Sequence, residues 1–306
     1  HAEGPLVAVT GSEDVAFDVA AAETLESQCR SAACQVENLH SSRTGWVATA
    51  KTDFSGYFST VFSDNADIET TDASNLAACL RGVADAVRFL INRAAEENAQ
   101  RKKARDWDER RAHKNVLHKA WDDAWNLDQR PTSTLGPPPS QEPAAPTLTE
   151  RSNPSQGTTA SGYTTSSARP DNLRSFATSS QGANNDLTTT LGNLKSYDAT
   201  FQAGCKWGTL NAASVWAGFQ SYIDANNNDV TWANTIADAF ESVGGGDELC
   251  TVYDAALGEA LERAGVTAVR QTLTIDPAQV QGMPPTSGFC DDPVNTATGG
   301  FVEAET

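Results

Sequence analysis

The residues able to do chemistry in this 306-residue chain are four histidines, six cysteines and several neighbouring carboxylates. Their spacing serves none of the usual reactions. The histidines are His1, His40, His113 and His118. The last two are five positions apart on a charged helical stretch, where a spacing of four aligns ligands better. Asp122-Asp123 and Asp291-Asp292 are adjacent, so on a regular helix or strand they point in different directions. There is no CxxC pair, G-x-S-x-G elbow, phosphate loop, G-x-G-x-x-G turn or H-E-x-x-H helix. Acid–base catalysis also needs a cleft, which slender helical hairpins hardly provide. The sequence therefore designates no catalytic, cofactor-binding or metal residue, and the expected function is not enzymatic. Cys29 and Cys34 lie in an apolar helical stripe and read as small buried apolar groups. Cys250 and Cys290 are the disulfide candidate, one that would clip the C-terminal segment if the protein works outside the cell.

Charge narrows the partners. A formal charge of -18 argues against nucleic acid, whose phosphates need a concentrated basic face. From Asp171 onward 17 acidic residues face 5 basic ones, whereas residues 100–120 carry 8 basic against 3 acidic. That basic run reads as a solvated helical face or as a dock for an acidic partner or a membrane surface. No apolar run approaches the ~18 residues of a membrane span, so no membrane insertion is expected. The first residues show no classical signal peptide. Met283 is the chain's only methionine, which suggests a piece of a longer protein.

The elements that must position any site are helices. Residues 1–12 read as an extended lead-in, and Ser12 offers a helix cap. From there Val15, Ala22, Leu25, Cys29, Ala32, Val36 and Leu39 form a heptad-like seam that ends near Ser41-Ser42-Arg43-Thr44-Gly45-Trp46. A short aromatic helix at Phe54–Phe62 precedes an expected break and fresh cap at Thr70-Thr71-Asp72. Leu76, Leu80, Val83, Val87 and Leu90 then continue the seam. The charged continuation to about residue 119 is expected to project past the bundle, with Trp107, Trp121 and Trp125 docking its tail. Residues 127–170 hold eight of the 13 prolines and read as a Pro/Ser/Thr-rich linker, part extended and part flexible. A second helical domain spans 171–265, with Asp171 as cap. Its first helix carries Leu187, Leu191, Leu194, Tyr197 and Phe201, and a reversal follows at Trp207-Gly208. The next helix carries Trp216, Phe219, Ile223, Trp232, Ile236 and Phe240. Asn226-Asn227-Asn228 is expected to notch it, and Gly265 to cap a further helix. Residues 266–306 read as an extended segment. The fold class is all-α, with two hairpin modules at 13–126 and 171–265, each turned beside a tryptophan.

Gly45-Trp46 and Trp207-Gly208, with Trp216-Ala217-Gly218 inside the second hairpin, resemble the WxG-type helical hairpins of type VII secretion substrates at the front of actinobacterial toxins. Residues 288–303 contain Asp292-Pro293-Val294-Asn295-Thr296-Ala297-Thr298-Gly299-Gly300-Phe301, which is similar to the D-P-V-N-x-A-T-G-x-F entry into Rhs/YD-repeat shells. The resemblance implies a secreted, non-enzymatic export or targeting region of a polymorphic toxin, whose activity lies further along the polypeptide. Its implied partners are a secretion apparatus or a WxG-like helical partner or chaperone, and the downstream shell; no cofactor is implied. Gly45, Trp46, Trp207, Gly208, Trp216 and Gly218 would be the turn or recognition residues. The alternative is a structural plug or brace of the shell. The Tyr-x-x-x-Asp/Glu export signal of type VII substrates is missing, since Tyr57, Tyr163, Tyr197, Tyr222 and Tyr253 reach Val61, Ser167, Phe201, Asn226 and Leu257.

Overall fold

The computed structural model describes residues 13–125, 129–131, 137–155, 165–244 and 249–266. They are mostly helical, as expected: α1 (Val19–Ala50), α2 (Tyr57–His113), α3 (Val116–Trp125), α4 (Pro170–Gly204), α5 (Ala213–Gly244) and α6 (Asp254–Arg263). Four short strands accompany them. β1 (Ser140–Gln141) pairs in parallel with β3 (Thr209–Leu210), and β2 (Thr165–Ala168) pairs antiparallel with β4 (Cys250–Tyr253). The helix cap expected at Ser12, the Thr272–Ile275 segment, Cys290 and the Asp291–Phe301 stretch lie outside the described residues.

The first seam buries as read, with Ala22, Leu25, Cys29, Ala32 and Val36 all inside. The cap, however, is Asp18, whose Oδ1 accepts the Ala21 N–H at 3.0 Å. The helix does not turn at Gly45-Trp46, which sit within α1. The reason is local. Ser41, Ser42, Thr44 and Thr49 donate their hydroxyls to the carbonyls of Glu37, Asn38, His40 and Gly45, four residues back, so the polar run is satisfied without leaving the helix. The reversal comes later, at 51–56, where Asp53 (φ 63°) and Gly56 (φ 95°) adopt left-handed backbone.

The same device carries α2 through Thr70-Thr71-Asp72. Both threonines bond back to Ala66 and Asp67, and Asp72 turns inward to accept the Thr149 N–H. The expected break is absent, and Tyr57 to Phe62 of the aromatic segment open this 57-residue helix, with Phe54 in the reversal before it. α5 likewise runs through its three asparagines, because Asn226 and Asn227 are held by Arg151 and Asn184. Pro170 occupies the first turn of α4, with Asp171 beside it rather than as the cap. Gly265 (φ 88°) follows α6 in the conformation that a helix-ending glycine takes.

α1 packs on α2 and α4 on α5 as consecutive hairpins, and α1 also lies along α4. The described residues of 13–126 and 171–265 do not form separate cores. One cluster joins Leu25, Leu76, Leu80 and Val87 to Leu187, Leu194, Phe201 and Phe219. The other joins Phe54, Phe58 and Phe62 to Leu173, Phe176, Ile236 and Phe240. In the latter, Phe62 meets Phe176 edge-on at 4.9 Å between centroids, and Phe54 meets Phe240 at 6.3 Å. A hairpin's apolar stripe is covered only when a second hairpin closes on it.

Residues 137–155 of the expected linker are a packed strap. Pro146 is buried against Gly218, Leu148 packs on the first cluster, and the Pro154 carbonyl accepts the Trp232 indole N–H at 3.1 Å. Prolines have no N–H to leave unsatisfied, which suits them to a buried extended strap.

Candidate functional site

Of the residues singled out by the sequence, Trp207-Gly208 alone closes a hairpin. Gly208 has φ 84°, and a Cβ there would stand 3.0 Å from Leu90 and 3.2 Å from the Pro139 carbonyl. The turn is clasped. The Ala16 carbonyl accepts the N–H groups of Lys206 and Trp207 at 2.8 and 3.2 Å, and Thr209 N–H bonds to the Pro139 carbonyl at 2.9 Å. Cys205 Sγ donates to the Asp18 carbonyl. Trp207 is half-buried. Trp216 is buried inside α5 with its indole N–H on Asp198 at 2.8 Å. Gly218 gives way to the strap, since a Cβ would lie 2.4 Å from Pro146 Cγ. Gly45 and Trp46 belong to a different region, where Trp46 leans on the second cluster. The six positions are thus not one site. Cys29, Cys34, Cys79 and Cys205 are free thiols, and burial pushes the Cys29 thiol up to about 12, which leaves it protonated and inert.

What the sequence did not point to is a buried polar junction between α1, α2, α4, α5 and the strap. Glu69 is its hub. Its Oε1 accepts Arg43 Nη1 at 3.1 Å and the Tyr222 hydroxyl at 2.5 Å, and its Oε2 lies 3.0 Å from His40 Nδ1. Arg43 Nη2 continues to Asn184 at 2.8 Å. Beside it, Arg151 Nη1 reaches Asp229 at 2.5 Å and Asn226 at 2.7 Å, and Arg151 Nη2 stands 3.7 Å from Asp72. Asn65 ties the strap down through the Ser152 carbonyl and N–H at 2.9 and 3.1 Å. Beside Arg43 lies a cavity of about 20 Å³, lined by the polar Asn65, Glu69, Asn226 and Asp229 and by the apolar Phe62 and Trp232 among others. Space of that size takes about one water molecule, far less than an organic substrate.

The charges respond to burial and to each other. Burial pushes the Glu69 carboxyl up, but Arg43, the Tyr222 hydroxyl and His40 outweigh it and hold it below the ordinary range. Asp229 and Asp72 are pushed up by burial, which Arg151 only partly offsets at both and the Thr149 N–H also offsets at Asp72. Burial and the neighbouring Glu69 raise the Tyr222 phenol, so it remains a donor. The arrangement is an electrostatic clamp across four helices. A pattern signal for it existed: Arg43 falls one heptad beyond Val36 and Glu69 one heptad before Leu76, so both occupy seam positions.

The clamp predicts a pH-dependent penalty. Glu69→Gln is expected to lower stability by roughly 2–3 kcal/mol at neutral pH. Because the folded carboxyl titrates below its ordinary 4.5, its contribution is present above 4.5 and is lost as pH falls through the folded value. The gap between wild type and variant in urea unfolding should therefore close below about pH 4.5. A gap that stays constant or widens on acidification would contradict the assignment.

No protein-family model matches this chain, and neither a curated protein nor a solved structure does.

Proposed function

We propose that this chain is a non-enzymatic export and targeting region of a secreted Rhs-type polymorphic toxin, a helical surface recognised by a type VII-like apparatus or a helical partner. The observation that carries the reading is the α4–α5 hairpin, reversed at a tryptophan–glycine step whose Trp207 is partly accessible at the turn. The 291–301 stretch, similar to an Rhs entry segment, supports the toxin context. The route is recognition and delivery, with any toxic chemistry carried elsewhere in the polypeptide.

The test fuses residues 1–306 to a reporter enzyme without a signal peptide, in an actinobacterium that has a working type VII system. Reporter activity is expected in the medium. It should fall strongly when the secretion ATPase is deleted, and in a Trp207→Ala fusion that remains folded. Reporter confined to the cells, or released equally without the ATPase, would sink the export reading. The brace of a repeat shell is the second reading, and it is favoured by one observation: the described residues between 13 and 266 are knit into a single compact unit by the shared cores and the strap.

A further inference from the structure

The described residues leave most large apolar side chains buried, and exposed ones such as Val19, Phe89 and Val243 are scattered. α3 departs from this. Val116 is 81% exposed, Leu117 84%, Trp121 61% and Trp125 64%. On a helical projection these four fall on one half of the helix, and His118, Lys119, Asp122 and Asp123 fall on the other. The two acids of the polar half are tied to the end of α2. Asp123 accepts both bonds of Arg111 Nη2 at 2.6 and 2.7 Å, and Asp122 accepts Lys114 Nζ at 2.8 Å. Arg111 in turn stands over the Trp107 ring at 5.1 Å. Asn115 opens the helix by accepting the His118 N–H at 2.9 Å. With its acids clamped to the end of α2, α3 holds its apolar half outward, and the Trp121 and Trp125 rings lie 6.0 Å apart on it.

We propose that α3 is an interfacial anchor, which lays its Val116, Leu117, Trp121 and Trp125 face into the headgroup–acyl boundary of an anionic lipid surface. Three observations select lipid over a protein. The four side chains together offer on the order of 500 Å², short of the ≈800 Å² per partner that a stable protein interface takes. The face adjoins residues 100–120, whose 8 basic and 3 acidic residues form a positive region in a chain of net charge -18. Lys103 and Arg110, seven residues apart on α2, stand exposed in this stretch, so an anionic surface approaching α3 meets a locally positive segment of an otherwise acidic chain. Tryptophan also suits the boundary, because its ring is apolar and its N–H remains hydrated. Ten residues cannot span a bilayer, and no described helix is long and apolar enough to do so. The anchor therefore lies in the plane of the surface.

This inference stands apart from the export reading, since vesicles contain no secretion apparatus. The experiment sediments the full 306-residue chain with vesicles of equal parts phosphatidylglycerol and phosphatidylcholine, and with pure phosphatidylcholine. Binding to the anionic vesicles is expected to be at least ~10-fold tighter and to weaken with salt. Trp121→Glu with Trp125→Glu should reduce it at least ~10-fold without moving the melting temperature, because α3 contributes to neither core cluster. Leu117→Gln with Trp121→Gln, which adds no charge, is the companion variant, and Lys103→Glu with Arg110→Glu should weaken binding by a similar factor. Failure to sediment with anionic vesicles, equal binding to both vesicle types, or equal binding by wild type and the α3 variants would overturn the proposal. So would a wild-type dimer in light scattering that the double glutamate variant converts to monomer, since a second copy would then cover the face.

Discussion

Arg151→Ala is expected to destabilise the fold by about 3–5 kcal/mol in urea unfolding at neutral pH, the cost typical of removing one partner from a buried ion pair. Arg151 lies on the strap, is almost fully buried, and is the cation between Asp72 of α2 and Asp229 of α5. Burial already pushes both carboxyls up. Without the guanidinium Asp72 would keep only the Thr149 N–H, Asp229 only the Asn65 amide and the more distant Arg43 charge, and Asn226 Oδ1 would lose the donor it has now. The sign of the pH effect follows. The variant's carboxyls would prefer to be protonated, so its deficit should shrink as pH is lowered toward and below their ordinary 3.8. Arg151→Lys is expected to recover part of the loss only, since an ammonium keeps the charge but cannot fork between two acids and an amide. A deficit under about 1 kcal/mol, the scale of an exposed pair, would mean that the strap is peripheral to the fold.

The same strap shows why the sequence was legible in some places and silent in others. Periodic apolar positions found the faces of α1, α2, α4 and α5, because a helix that buries one side must repeat its large residues every three or four positions. Gly208 and Gly265 were legible for a related reason: both take the backbone that glycine adopts freely. Composition misled at 137–155. Proline and small polar residues usually mark a chain without enough apolar surface to order itself. Here the surface comes from Pro146 and Leu148 seating on helices that already exist, and the backbone polar groups find partners in Asn65, Asp72 and Trp232. Gly45-Trp46 misled in another way. A glycine beside polar residues resembles a turn, yet back-bonded hydroxyls let the helix run on to Ala50. The clamp was hidden because its members are far apart in sequence: Arg43 meets Glu69 and Asn184, and Arg151 meets Asp72 and Asp229. Only the seam positions of Arg43 and Glu69 hinted at burial, and seam position does not name a partner.

Residues 13–126 and 171–266, expressed as separate fragments, are each expected to lose cooperative unfolding, although both should retain helical circular dichroism. Each hairpin alone would expose the face that the other covers. For the first these are Leu25, Leu76, Leu80, Val83, Val87, Phe54, Phe58 and Phe62; for the second they include Leu173, Phe176, Leu187, Leu194, Phe219 and Phe240. Even a partial re-exposure at about 1.5–3 kcal/mol per large side chain exceeds the 5–15 kcal/mol of net stability that a folded domain has to lose. Arg43 would lose Asn184, Glu69 would lose the Tyr222 hydroxyl, and both fragments would lack the strap that neutralises Asp72 and Asp229. The expected signature is a broad thermal transition, with dye binding to exposed apolar surface, in each fragment. A sharp transition in either, near the melting temperature of the whole, would restore two independent modules and make the shared cores an incidental contact. If the broad transitions appear, the proposed export surface has a corollary. A partner would have to recognise the two hairpins as one docked body, and a core substitution such as Phe240→Ala, costing about 3–5 kcal/mol, should impair recognition at the distant Trp207 turn as well.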